Sequence, residues 1–197
     1  MAKRLAIVVP CYNEEEILID TERKLNKLLE GLIKKKKISN NSFILFIDDG
    51  SNDNTWNLIS KFNKSSKFVY GLKLAKNVGH QNALFSGLIK VKDISDISIS
   101  IDADLQDDIN VIDKMLEEYE NGSEIVYGVR SSRKKDTFFK KFTAEGFYKF
   151  MDKMGVEIVY NHADYRLTSK KVIDEFEKYK ESNLFLRGIF PLIGFKT

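Results

Sequence analysis

Short apolar runs alternate with helix-like segments along the first two thirds of the chain, and this alternation constrains the fold more than any other feature. The runs are rich in Ile, Val, Leu and Phe, which is typical of buried strands, and the segments between them repeat apolar residues at helical spacing. The predicted strands cover residues 5–9, 43–47, 68–74, 97–101 and 125–129. We therefore predict a single Rossmann-like α/β domain, with a mostly parallel central sheet and helices on both faces.

The size and charge of the chain exclude several classes of protein. Its 197 residues suffice for one well-packed domain, and a net charge of +3 gives no indication of a nucleic-acid partner. Cys11 is the single cysteine, so an internal disulfide is impossible, which fits a reducing compartment. No run approaches the roughly 18 apolar residues that cross a bilayer, so we expect the chain to be soluble as it stands.

Two acidic residues, Asp102 and Asp104, directly follow the fourth predicted strand. Ligands of α/β sheets bind at the carboxyl ends of strands, and side chains at i and i+2 of an extended segment point the same way. Both carboxylates are therefore expected to face one hard cation, Mg²⁺ or Mn²⁺, with Gln106 as a third oxygen donor. The alternative interpretation is a solvated acidic loop.

The loop after the first strand also carries residues suited to a nucleoside. Pro10 ends the strand, because proline cannot donate to the ladder. Tyr12 offers a ring that can stack on a base, and Glu14 offers an acceptor for a ribose or base hydrogen. Acidic residues at 14–16 are equally typical of a helix start, where the helix dipole favours negative charge, and the two interpretations are compatible.

The loops after the second and third strands leave structural and functional interpretations open. Asp49 and Gly50 form a turn signal, and Asp53 is suited to capping the next helix. Such a turn does not explain two consecutive aspartates at the strand end, where a carboxylate could accept the N–H of a uracil or guanine ring. His80 follows the third strand, and a lone histidine at such a turn is more often structural than catalytic.

Basic and aromatic residues interleave after residue 130, between positions 133 and 142. We predict a helix over about 137–154. Its outer face is either a basic surface covering the core or a face that meets anionic lipid head groups.

Four motifs occur in the order of the family-two glycosyltransferases and resemble them. They are VPCYNEE at 9–15, DDGSNDNT at 48–55, NVGH at 77–80 and DADLQD at 102–107. The segments NHADYRLTS at 161–169 and NLFLRG at 183–188 narrow the resemblance to the polyprenyl-phosphate glycosyltransferases. That subgroup includes dolichol-phosphate mannose synthase and bacterial prophage-type glucosyl-lipid synthases. The resemblance implies the A-type nucleotide-sugar fold, GT-A.

The resemblance also implies the residues of the donor site. Those lining the nucleoside pocket would be Pro10, Tyr12, Glu14, Ile47 and Asp49. Asp102 and Ala103 would lie near the ribose and the diphosphate. Asp104 and Gln106 would hold the metal ion, with Asp102 coordinating or nearby.

Three further residues are expected at the reacting centre. Arg130 would contact the donor diphosphate or the acceptor phosphate. Asp164 and Arg166 would lie on the acceptor side, although they are also suited to a purely structural ion pair. The whole chain, 1–197, would be one catalytic domain, with residues 1–130 forming the nucleotide-sugar half and 131–197 the acceptor half.

The activity implied is inverting transfer of a hexose to a polyprenyl phosphate such as undecaprenyl phosphate, at the cytoplasmic face of the plasma membrane. Glucose from UDP-glucose is the preferred donor. Transfer to a sugar hydroxyl and a non-catalytic nucleotide-sugar-binding module are the alternatives. A dehydrogenase is a poor fit, because no G-x-G-x-x-G follows the first strand. Related enzymes continue past Gly194 into membrane segments, which we expect to be missing here. Homo-oligomer formation is left open.

Overall fold

A computed structural model describes residues 2–129, 162–178 and 186–197 of the chain. The first half alternates strand and helix: β1 (Leu5–Cys11), α1 (Leu18–Lys34), β2 (Phe43–Asp48), α2 (Thr55–Ser65), β3 (Val69–Lys73), α3 (His80–Val91) and β4 (Ile97–Ser100). A 3-10 turn (Ile109–Val111), α4 (Ile112–Glu120) and β5 (Ile125–Val129) follow. The described C-terminal elements are β6 (His162–Ser169), α5 (Lys170–Phe176) and α6 (Leu186–Leu192). The predicted Arg130 contact and the predicted helix at 137–154 lie outside the described residues.

The six strands form one sheet in the order β3-β2-β1-β4-β6-β5. β1, β2, β3 and β4 pair in parallel, whereas β6 is antiparallel to both of its neighbours. The predicted mostly parallel α/β fold is confirmed. The strand β6 was not predicted.

Alternate side chains of the buried strands enter two apolar clusters, one on each face of the sheet. Ile7 of β1 packs in the cluster that contains core residues of α1, α2 and α4. Its neighbour Val8 packs in the cluster that contains core residues of α3, α5 and α6. The helices therefore cover both faces, as predicted.

Helix α3 approaches the sheet very closely at Gly87. A Cβ atom at this position would lie 2.2 Å from Ile47 Cδ1 and 2.7 Å from Val8 Cγ1. Glycine therefore allows α3 to rest directly on β1 and β2.

The carboxyl ends of the parallel strands and the amino end of β6 meet at one edge of the sheet, because β6 runs in the opposite direction. The loops of the predicted site all leave from this edge. None of the helices in the described ranges is long and apolar enough to cross a bilayer.

Candidate active site

The loops that follow β1 and β2 are joined by hydrogen bonds between the side chains of one and the backbone of the other. Asn13 has a left-handed backbone (φ 56°), its amide donates to Ser51 Oγ, and its side-chain oxygen accepts from the amide of Asn52. The amide of Glu15 donates to a carboxylate oxygen of Asp53. Asn13 and Asp53 thus hold the two loops together. These two residues therefore have structural roles at this edge of the sheet.

Asp49 fixes the third loop, which leads from β3 into α3. Its Oδ1 accepts the amide of Val78 at 2.8 Å, and its Oδ2 accepts the amide of Gly79 at 3.0 Å. The neighbouring Gly50 lies so close to this loop that an added Cβ would meet Asn77 N at 2.6 Å. Asp49 is buried and organises the loop, and its contact with a donor base stays a prediction.

A cavity of about 170 Å³ opens between these three loops. Four of the five predicted nucleoside residues line it: Pro10, Tyr12, Glu14 and Asp49. The exposed Tyr12 ring is free to stack on a base at the cavity mouth. Ile47, the fifth, is fully buried in the core against α3 and lies outside the cavity lining. His80 also lines the cavity.

The segment after β4 turns instead of continuing as an extended strand. Leu105 has a left-handed backbone (φ 47°), and its amide donates to the carbonyl of Asp102 at 3.2 Å. Thr21 of α1 donates its hydroxyl to the carbonyl of Ala103 at 2.6 Å, which holds the turn against the helix. The expected i, i+2 geometry for Asp102 and Asp104 is therefore wrong, because the chain bends between them.

The side chains of this turn differ in exposure. Asp102 is half-buried, whereas Asp104 and Gln106 are exposed at the rim of the sheet. Gln106 donates its amide to Asp104 Oδ2 at 2.6 Å. The two predicted metal ligands Asp104 and Gln106 are thus already adjacent.

Negative charge converges on Asp102. Burial raises the pKa of its carboxyl, and the charge of His80 opposes this rise. The carboxylates of Asp164, Asp104 and Asp107 raise the pKa of Asp102 further. A concentration of carboxylates of this kind is suited to a divalent cation.

Glu14 belongs to the same negative region from the opposite side of the cavity. Burial raises its pKa, followed by the charges of Asp104, Asp53 and Asp102. The described residues contain no group of three or more His, Cys, Asp or Glu side chains that by itself would hold a metal ion. Magnesium sites usually combine one or two protein carboxylates with substrate phosphates, so Asp102 and Asp104 fit an ion shared with a bound diphosphate.

Asp164 lies on β6, beside the end of β4, and is almost fully buried. Its Oδ1 pairs with Arg166 Nη2 at 2.5 Å, and its Oδ2 accepts from Gln81 Nε2 at 3.0 Å. His80 Nε2 lies 3.3 Å from the same Oδ2 and 3.5 Å from Asp102 Oδ1. The structure thus brings the predicted acceptor-side pair next to the predicted metal turn, with His80 between them.

Arg166 is held in place by an aromatic stack. Its guanidinium carbon lies 4.4 Å from the ring centroid of Phe190 on α6, and Phe190 in turn stacks on Phe176 of α5. The side chain is only 1% exposed. The two C-terminal helices therefore set the position of the ion pair.

Two residues at this centre were not predicted to act there. His80 was interpreted as structural, and Gln81 was not singled out, although both follow a strand whose end lies at the functional edge. Arg130 lies outside the described residues, so its role stays a prediction.

The parallel sheet with one antiparallel strand, and the acidic turn near a cavity lined by Tyr12 and Glu14, define a GT-A nucleotide-sugar domain. The glycosyl transferase family 2 profile matches residues 6–176, and the chain belongs to this family.

Two curated members of the family are similar to the chain over almost its whole length. The chain is 58% identical over 193 residues to the Bacillus subtilis glycosyltransferase YkoT, covering 98% of this chain and 57% of the relative. It is 36% identical over 198 residues to the bactoprenol glucosyl transferase of Shigella phage SfX, covering 98% of this chain and 61% of that protein. The chain spans about three fifths of the length of these relatives.

Solved structures agree with the fold. A mannosyltransferase from Pyrobaculum calidifontis, in complex with GDP-Man and Mn²⁺, matches with a TM-score of 0.66 and 14% identity, covering 100% of this chain and 54% of that one. Glucosyl-3-phosphoglycerate synthase from Mycobacterium tuberculosis, in complex with Mn²⁺, UDP and phosphoglyceric acid, matches with a TM-score of 0.56 and 15% identity, covering 86% and 57%.

Proposed function

We propose that this protein transfers glucose from UDP-glucose to a polyprenyl phosphate, with inversion at the anomeric carbon. The observation that carries the proposal is the position of the buried Asp164–Arg166 pair: Asp164 Oδ2 lies 3.3 Å from Nε2 of His80, which lines the cavity between the three loops. The names of the bactoprenol glucosyl transferase relatives support the sugar and the acceptor. Structural neighbours that hold UDP or GDP-Man with Mn²⁺ support a nucleotide-sugar donor.

The three joined loops would bind the nucleoside. Tyr12 is exposed at the cavity and would stack on the base. Asp49 keeps the loop at 78–79 in place, and the unused lone pairs of its oxygens can accept a base N–H. Glu14 would accept a hydrogen bond from the ribose.

Asp102, Asp104 and Gln106 would hold a Mg²⁺ or Mn²⁺ ion. When bound, this ion supplies Lewis-acid neutralisation of the negative charge that develops on the leaving diphosphate. Asp102 and Glu14, whose pKa values are raised in the metal-free protein, are then stabilised as carboxylates. Ala103, held by Thr21, keeps the backbone of this turn close to the diphosphate.

The environment of Asp164 favours a phosphate acceptor. Both of its oxygens already accept hydrogen bonds or pair with charged groups, so the carboxylate is suited to orienting groups rather than to removing a proton. A phosphate monoester has a second pKa of about 6 and needs no base near neutral pH, whereas a sugar hydroxyl does. The acceptor would attack from the side opposite the diphosphate, which inverts the anomeric centre.

Two features support action at the cytoplasmic membrane face. The names of the bactoprenol glucosyl transferase relatives indicate a lipid acceptor. The basic and aromatic residues at 133–142 and Arg130 would meet lipid phosphates, which Arg binds through paired donors.

A transfer assay tests the proposal. Radiolabelled UDP-glucose and Mn²⁺ are incubated with the protein and either undecaprenyl phosphate or an oligosaccharide, and lipid-linked label is expected only with the first acceptor. Asp164→Asn should lower turnover more than donor affinity. Asp174→Asn, a half-exposed aspartate on α5, is the matched control and should retain full activity. Transfer to the oligosaccharide alone would favour the alternative, a hydroxyl-directed family-two enzyme.

A further inference from the structure

We infer that His80 and Gln81, the first two residues of α3, are positioning residues that fix Asp164 relative to the donor site. The kinetic consequence of this inference rests on the proposed glycosyl transfer, whereas its structural consequence rests on geometry alone. Two consecutive side chains reach one oxygen atom, Asp164 Oδ2, at 3.0 Å from Gln81 and 3.3 Å from His80.

The other oxygen of Asp164 is held independently. Arg166 Nη2 lies 2.5 Å from Oδ1, and Ser100 of β4 donates its hydroxyl to the backbone carbonyl of Asp164. The carboxylate is therefore held at both oxygens and at its own peptide group. Removal of Gln81 and His80 would take away the two contacts to Oδ2 that lie in the described part of the chain, while the contact of Oδ1 with Arg166 stays, so we expect the carboxylate to shift about Arg166.

Helix α3 is a rigid base for this contact. At Gly87 it lies directly against Ile47 of β2 and Val8 of β1. These two strands also lead into loops that surround the donor cavity. Because α3 packs on the same strands, its first residues hold Asp164 at a defined distance from that cavity. Sites built on regular elements hold side chains more accurately than sites built on loops.

His80 contacts both sides of the reacting centre. It lines the donor cavity, and its Nε2 is 3.5 Å from Asp102 Oδ1 as well as 3.3 Å from Asp164 Oδ2. Asp102 belongs to the turn after β4 and Asp164 to β6, so a single imidazole lies between the two carboxylates and contacts both. Gln81 contacts Asp164 and not Asp102 in the described part of the chain.

The kinetic experiment compares His80→Ala, Gln81→Ala and the double variant with Ser86→Ala. Ser86 lies on the same helix, and its hydroxyl bonds only to the carbonyl of Asn82 within the described residues, so this control should keep wild-type activity. A misplacement of about 1 Å can cost ~100-fold in rate, so we expect kcat to fall by roughly 10- to 100-fold in the double variant. In Gln81→Ala, which leaves the lining of the donor cavity intact, the KM for the donor and the Kd for UDP by calorimetry should change less than about threefold.

The conservative variant His80→Gln keeps an N–H donor and should recover part of the turnover lost in His80→Ala. A fall in donor affinity equal to the fall in kcat, or no change in kcat, would overturn the inference.

A crystal structure of the His80→Ala, Gln81→Ala double variant tests the same inference without turnover. We expect the Asp164 carboxylate to adopt a different rotamer while the backbone of β6 stays in place. An unchanged carboxylate in the double variant would refute the inference even if the protein proved inactive as a transferase. Absence of transfer by the wild-type protein, together with a displaced carboxylate in the variant, would refute the proposed function and keep the positioning role.

Discussion

Arg166 lies two residues after Asp164 on β6, and the two side chains form a buried ion pair on one face of the sheet. Asp164 is 4% exposed and Arg166 is 1% exposed. The intervening Tyr165 belongs to the opposite apolar cluster, and its hydroxyl donates to the carbonyl of Asp108. One strand therefore carries a charged pair on one face and a core residue on the other.

Arg166→Met should destabilise the protein strongly, because it leaves the Asp164 carboxylate buried without its guanidinium partner. Loss of one partner of a buried pair typically costs about 3–5 kcal/mol of unfolding free energy. Adding Asp164→Asn should recover part of this loss, and urea unfolding of the single and double variants measures both effects.

Arg4→Met is the control. Arg4 also stacks on an aromatic ring, that of Phe43, but it lies nearer the surface, so its loss should cost about 1 kcal/mol or less of unfolding free energy. Equal losses for the two arginines would contradict the buried role of Arg166.

Asp102→Asn should stabilise the metal-free protein at neutral pH. The folded-state pKa of Asp102 is raised above its unfolded value of about 3.9, so the folded state favours the protonated carboxyl. This stabilisation is fully present below pH ~3.9 and is lost as the pH rises through the folded pKa, which leaves an unfavourable charge at pH 7. The variant should therefore unfold at a higher temperature than the wild type at pH 7, with the difference vanishing near pH 3. Thermal unfolding in EDTA across this range measures the effect.

Asp113→Asn is the control of opposite sign. Hydrogen bonding to Lys37, then to Lys35, lowers the pKa of Asp113, so its contribution to stability is present above the unfolded pKa of about 3.9 and is lost as the pH falls through the folded value. Its replacement should lower stability at pH 7. If the Asp102 variant were also less stable at pH 7, the ionised Asp102 carboxylate would not be unfavourable in the folded protein.

The strands that were predicted from sequence are those that can be recognised from a continuous run of apolar residues. Each of the five is an apolar run bounded by polar turns, and the structure places all five within two residues of the predicted ends. The prediction that Pro10 ends the first strand is wrong, because β1 continues through Pro10 to Cys11 and pairs with β2 there. Strand β6 lacks this pattern because Asp164 and Arg166 occupy alternating positions on one buried face. Charged residues there are tolerated only because each neutralises the other across the pair, and a linear sequence does not report that pairing.

The site was predictable where it follows from strand ends and was missed where it depends on distant contacts. Asp102 and Asp104 lie at the sheet edge as expected, but the chain turns between them, and the amide of Leu105 closes this turn on the carbonyl of Asp102. The contact between Gln81 and Asp164 spans 83 positions and results from the placement of β6 beside β4. No spacing rule along the chain reports such a contact.

Asp49→Asn should weaken the loop that starts α3. The carboxylate accepts two backbone amides, those of Val78 and Gly79, and an asparagine can accept only through its single oxygen. Both amides are part-buried, and that of Gly79 also donates to Asn77 Oδ1 at 3.2 Å, so the loss of one carboxylate acceptor should lower the unfolding free energy by about 1 kcal/mol without any ligand present. Asn63→Asp, at a partly buried amide that donates to the carbonyl of Val69, tests whether any amide–acid exchange has this effect. Unchanged stability for Asp49→Asn would assign the carboxylate to the donor alone.

Gly87→Ala should destabilise the protein although alanine is the better helix former. The new methyl would lie 2.2 Å from Ile47 Cδ1 and 2.7 Å from Val8 Cγ1, and overpacking of this kind costs about 1–3 kcal/mol against a helix-propensity gain of at most about 1 kcal/mol. Ile47→Val should partly restore stability in the double variant by removing the closest methyl. Gly31→Ala on α1 is the matched control, because nothing lies within 4 Å of its added Cβ, and it should stabilise by about 0.5–1 kcal/mol. Denaturant unfolding separates the two glycines by sign, and a stabilising Gly87→Ala would mean that α3 does not rest on the sheet at this point.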